Sequence, residues 1–107
     1  MIITTTNNIE NYSIKRYLGV VNANIVIGAN FFSDFAASLT DVFGGRSNTY
    51  QNKLNTIYKE VMAELKAKAK SFQADAIVWL HIDFDEVSGG GKSMFMVSAS
   101  GTAVMIE

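Results

Sequence analysis

AIVWLHIDFDEVSGGGKSMFMVSASGTAVMI, Ala76 to Ile106, is the stretch on which the fold turns. β-Branched and aromatic residues crowd both halves, and Ser88, Gly89, Gly90, Gly91 and Lys92 part them, which is the composition of two strands and a hairpin link. The expected strands run from Ala76 to about Val87 and from Ser93 to Ile106, paired antiparallel. Side chains alternate across a strand, so Val78, Leu80, Ile82 and Phe84 point one way and Ile77, Trp79, His81, Asp83 and Asp85 the other. In the second strand Phe95, Val97, Ala99, Gly101, Ala103 and Met105 oppose Met94, Met96, Ser98, Ser100 and Thr102. Aligning the apolar sides, as burial of one face demands, brings Trp79, His81, Asp83 and Asp85 beside Met94, Met96, Ser98 and Ser100 on the other.

Something must cover the apolar side, and the sequence upstream supplies it. Tyr50, Leu54, Ile57, Tyr58, Val61, Leu65, Ala69 and Phe72 trace one broad face of a long helix of about seven turns. Lys66, Lys68 and Lys70 fall at its end, where cations suit the helix dipole, and Glu64 stands four before Lys68. Before it, Phe31, Phe32, Phe35, Ala36, Leu39, Val42 and Phe43 recur at spacings of three and four, the period of a short buried helix. Gly44 and Gly45 would end that helix, and Ser47 or Asn48 would cap the next. Nearer the start, Ile2 to Thr6 reads as an edge strand closed by Asn7 and Asn8. Ser13 to Gly28 reads as two strands joined by a turn or bulge at Asn22, Ala23 and Asn24. The sum is an α+β domain, residues 1–107, with an antiparallel sheet covered on one face by a long helix and a short one.

Composition narrows the function. At 107 residues there is room for one core. An apolar content of 49% against 18% charged residues is high for so small a chain, which points to self-association. A net charge of -1 with dispersed basic residues gives nucleic acid no electrostatic footing. Cysteine is absent, so disulfides, thiolate metal sites and cysteine nucleophiles are excluded. No stretch reaches the apolar length of a membrane span and the start lacks a signal pattern, so a cytoplasmic location is expected.

The face bearing Trp79, His81, Asp83 and Asp85 has three readings. It can be a subunit interface or a partly solvated sheet face. It can hold a metal ion, because His81 and Asp83 stand two apart on one face and imidazole nitrogen and carboxylate oxygen are competent ligands. Two ligands from one subunit are too few, so an oligomer would supply the rest, with the Met96 thioether biasing the site toward soft ions. It can also be a stacking platform in which Trp79 holds an aromatic ligand. Catalysis has least support: no GxSxG elbow occurs, and Asp83 with Asp85 would need one carboxyl group shifted to serve as an acid–base pair. Elsewhere, Arg46 and the backbone donors of GGRS, residues 44–47, could hold an anion, although helix punctuation explains them. The glycines at 89–91 lack the strand–turn–helix context of a nucleotide loop.

Thr4 to Thr6, YLGVV at 17–21, GAN at 28–30 followed by Asp34 and Phe35, GGRS at 44–47, ADA at 74–76 and SMFMVSASGTAV at 93–104 together resemble the YbjQ family in order and spacing along nearly the whole chain. That resemblance implies a dodecin-subunit-like fold, a ring-shaped homopentamer, and a family described as heavy-metal-binding without established function. It also marks departures. Relatives typically carry glycine at Trp79, acidic residues at His81 and Asn24, and arginine at Ser33. Loss of acid at Asn24 would weaken a carboxylate site, and His81 exchanges a hard oxygen donor for a borderline nitrogen. The reading is a non-enzymatic homo-oligomer binding metal through His81, Asp83 and Asp85. The alternatives are an aromatic-ligand or flavin carrier built on Trp79 and, third, an acid–base enzyme using Asp83 and Asp85.

Overall fold

A computed structural model describes residues 1–27, 48–89 and 92–107. Its elements are β1 (Ile2–Ile3), β2 (Ile14–Ile27), α1 (Asn48–Ser71), β3 (Ala76–Gly89) and β4 (Lys92–Ile106). The four strands form one sheet in the order β1-β3-β4-β2. Strands β3 and β4 are the expected hairpin, zipped further than its composition indicates: Ser88 pairs with Ser93 and Gly89 with Lys92. The sheet is mixed, because β1 runs parallel to β3. The expected short helix at Phe31–Phe43 and the GGRS segment lie outside the described residues.

Two strand expectations are corrected. The chain from Ile14 to Ile27 is one strand along β4, with Asn22 opposite Ser100 and Asn24 opposite Ser98. Neither a turn nor a bulge interrupts the pairing at Asn22, Ala23 and Asn24. The alternation of Val21, Ala23, Ile25 and Ile27 with Val20, Asn22, Asn24 and Val26 is unbroken, and burial of the first set outweighs the weak strand preference of asparagine. β1 is also shorter than Ile2–Thr6, although the following residues still track β3: Thr4 N–H donates to the Ile77 carbonyl, and the N–H groups of Leu80 and Trp79 donate to the carbonyls of Thr4 and Thr6, all at 3.0 Å.

Helix α1 lies over one sheet face through Ile57, Val61, Leu65 and Ala69, four residues apart and buried against Val21, Ala23, Val97, Ala99 and Ala103. The buried stripe is narrower than its apolar pattern suggests, for Tyr58 and Phe72 are exposed. The Glu64–Lys68 pair forms at 3.6 Å, and the Lys68 ammonium donates to the Asn22 carbonyl at 2.6 Å, tying the helix to β2. The helix ends in a Schellman turn: Gln73 N–H donates to Lys70 and Ala74 N–H to the Ala69 carbonyl, at 2.9 and 3.1 Å. Gln73 takes the left-handed position, φ 61°, where glycine is usual.

The decisive irregularity is in β3. Val78 pairs with Thr102 and His81 with Ser100, so Trp79 and Leu80 together oppose Gly101 in a β-bulge. Trp79 has φ 58°. The extra residue inverts the alternation, which overturns the face assignment for the first half of the strand. Ile77 joins Leu80 and Ile82 on the helix side. Val78 and Ala76 lie on the opposite side, in a second small core with Val104 covered by Ile9, Ile14 and Ile106. Gly101 is a requirement of this arrangement: a Cβ there would stand 2.6 Å from Ile77 Cγ2 and 3.1 Å from the Val78 carbonyl oxygen.

Candidate functional site

The sheet's outer face, the one turned away from α1, is a three-strand surface that runs across the bulge, with Val78 buried at its near end. Its rows, read from β2 through β4 to β3, are Val20–Thr102–Val78, Asn22–Ser100–His81, Asn24–Ser98–Asp83 and Val26–Met96–Asp85. The two middle rows are wholly polar. The expected companionship of His81, Asp83 and Asp85 with Ser100, Ser98 and Met96 is therefore found, and the asparagines of β2 extend it by a strand. Asn24 enters the sequence reading of the site only through the family resemblance and Asn22 not at all; the signal that places both on this face is the strict alternation on either side of Ala23.

Within this band His81 Nε2 lies 3.0 Å from Asp83 Oδ1. Residues two apart on a strand share a face, and here their side chains meet. Both are open to solvent, with side chains 69% and 55% exposed, so as an ion pair the contact contributes little stability, on the order of 0–1 kcal/mol. Its interest is chemical: a ring nitrogen and a carboxylate oxygen held together at the surface are two ligands of the kind zinc and related borderline ions accept. Asp85 stands exposed one row further on. Among the described residues no group of three or more His, Cys, Asp or Glu side chains converges within reach of one ion. One chain brings two such groups into contact, His81 and Asp83.

Trp79 stands apart from these rows. It occupies the bulge and is 60% exposed, displaced from the position beside His81 that simple alternation assigned to it. An open groove of about 440 Å³ lies elsewhere, lined by Met1 and Ile3 and by Tyr58, Lys59, Met62, Ala63 and Lys66 of α1. It includes none of the expected site residues. No helix of the described residues is long and apolar enough to cross a membrane.

Comparison with known proteins matches this architecture to a family. The family model YbjQ_1, described as "Putative heavy-metal-binding", matches residues 1–107. Among similar proteins, a UPF0145 protein of Actinobacillus pleuropneumoniae serotype 5b (strain L20) is 49% identical over 107 residues, all of both chains. UPF0145 proteins of Acetivibrio thermocellus and Pasteurella multocida are 47% and 45% identical, again over all of both chains. A solved structure of a protein of unknown function from the DUF74 family, from Pediococcus pentosaceus ATCC 25745, superposes with a TM-score of 0.67 at 22% identity, covering 100% of this chain and 98% of that one. That last likeness speaks for the fold. With a family model matched from end to end and relatives near half identity over their whole length, this chain belongs to the YbjQ family.

Proposed function

We propose that this protein is a non-enzymatic, cytoplasmic homo-oligomer that binds a divalent metal ion on its outer sheet face, with His81 and Asp83 as ligands and Asp85 beside them. The observation that carries the reading is the 3.0 Å approach of His81 Nε2 to Asp83 Oδ1 on an exposed, otherwise polar band. The donor set favours borderline ions such as zinc or nickel. The softest heavy metals prefer thiolate, which a chain without cysteine does not offer. The missing ligands come from neighbouring subunits or water, and the family resemblance, which implies a dodecin-like subunit, supports a ring of five. Native mass spectrometry before and after adding zinc, copper and nickel counts chains and ions together. Stoichiometric uptake that His81→Ala abolishes is the expected result; a spectrum with no bound ion would remove the metal reading.

A second reading rests on Trp79, whose exposed indole in the bulge could stack an aromatic ligand. Flavin titration followed by tryptophan fluorescence separates the two. Quenching that saturates favours the carrier, and an unchanged spectrum favours the metal site.

A further inference from the structure

Helix α1 does not sit centrally on the sheet. Its buried residues pack chiefly on Val21 and Ala23 of β2 and on Val97, Ala99 and Ala103 of β4, two strands at one side of the order β1-β3-β4-β2. The flank of the helix nearer β1 is left open, and the groove of about 440 Å³ lies there. Its floor is apolar: Ile3 and Met62 are half-buried against the main core, and Met1 and Tyr58 are exposed beside them. Its rim is cationic. Lys59 and Lys66 stand seven residues apart, about 10 Å along the helix axis. Ala63 comes four after the first and three before the second, and residues at those spacings share a helix face. Both lysines are long enough for their ammonium groups to converge over this one small side chain. No acidic residue stands three or four places from either of them, in contrast to Lys68 with Glu64. Among the described residues neither lysine has an ion-pair partner, and no acidic side chain lines the groove.

We infer that this groove binds a single-chain carboxylate, a free fatty acid, with its head group held by Lys59 and Lys66 above Ala63 and its alkyl chain lying along Met62, Tyr58, Met1 and Ile3. Charge and shape both point to such a ligand. Two cations without a partner meet beside an apolar floor, and a carboxylate has two oxygens, so it accepts a charge-assisted hydrogen bond from each ammonium. The groove's volume falls within the range of about 300–1,000 Å³ usual for small-molecule sites. Methionine is unbranched and adaptable, so Met1 and Met62 conform to a flexible chain, whereas a flat aromatic ligand would find one ring, Tyr58, to stack on. The groove is on the helix side of the sheet, away from His81 and Asp83, so this inference stands apart from the metal reading.

Isothermal titration of the intact chain with dodecanoate, kept below its micelle concentration, tests the site, with dodecyltrimethylammonium as the same chain under a cationic head. The expected result is saturable uptake of dodecanoate that weakens at least tenfold in the Lys59→Ala/Lys66→Ala double variant. Lys70→Ala, which removes a lysine of the same helix outside the groove, should leave it unchanged, and dodecyltrimethylammonium should bind at least tenfold more weakly. All three lysines are exposed, so circular dichroism should report an unaltered fold. Ala63→Trp keeps both charges, fills the space between them and should abolish uptake as well. A titration that does not saturate, a double variant as tight as wild type, or equal affinity for the two head groups overturns the proposal. Lysine-dependent sedimentation with phosphatidylglycerol vesicles in place of dodecanoate uptake also overturns it, and makes a membrane surface the occupant.

Discussion

Trp79 and Gly101 face each other across the bulge, and each is constrained by the other's strand. A non-glycine residue in the left-handed region bears roughly 1–2 kcal/mol of steric cost, and Trp79 recovers little by burial because its side chain is mostly exposed. Trp79→Gly should therefore raise stability by roughly 0.5–1 kcal/mol, the conformational relief exceeding the extra chain entropy that glycine loses on folding. The urea midpoint reads this directly, and a lower midpoint would mean that the indole makes a contact worth more than the strain. Gly101→Ala should act oppositely. Its methyl would press on Ile77 and the Val78 carbonyl oxygen, part of it backbone that cannot move aside, at a cost of about 1–3 kcal/mol. The bulge was not legible in the sequence, since Ala76 to Asp85 alternates well enough to be read straight through, and the register shift becomes visible only when Ile77 is found with Leu80 on the helix side. His81, Asp83 and Asp85 kept their expected face because they follow the inserted residue.

At the scale of elements, the hairpin and the long helix were readable because their signals are long: a period of two over both strands and apolar residues every fourth position along α1. What resisted reading were places where a polar residue serves a regular element. Asn22 and Asn24 lie in the middle of β2, and Gln73 ends α1 where no glycine announces a stop. Gln73→Gly is expected to stabilise by about 0.5–1 kcal/mol, since it removes the left-handed penalty while leaving both closing hydrogen bonds in place; a thermal melt showing no gain would count against that assignment. Helix docking has a sharper test. Leu65 is fully buried at the centre of the α1–sheet contact, and Leu65→Ala should cost about 2–5 kcal/mol through lost burial and a residual cavity. Tyr58→Ala, on the same helix but exposed, should cost far less, and equal losses would show that the helix is seated differently.

For the whole molecule, the question is where its exposed apolar side chains go. Val20, Val26, Trp79, Phe84 and Met94 are all uncovered on the sheet, and a strand of fourteen residues extends about 46 Å at the usual rise, against about 36 Å for a 24-residue helix. The helix is thus shorter than the sheet it covers. Folding one copy leaves apolar surface in water at both ends of the polar band and, at Phe84, on the helix side, and burying it between copies would couple assembly to stability. A protein stabilised by its own association unfolds at a midpoint that rises with concentration, by about 1.4 kcal/mol of apparent stability per tenfold for a two-chain unit. Melts across a hundredfold range of concentration should therefore shift upward together in wild type, and the shift should shrink in Val20→Lys, which leaves the buried core untouched. A midpoint independent of concentration in wild type would mark a self-sufficient monomer, and the exposed valines of β2 would then be ordinary surface.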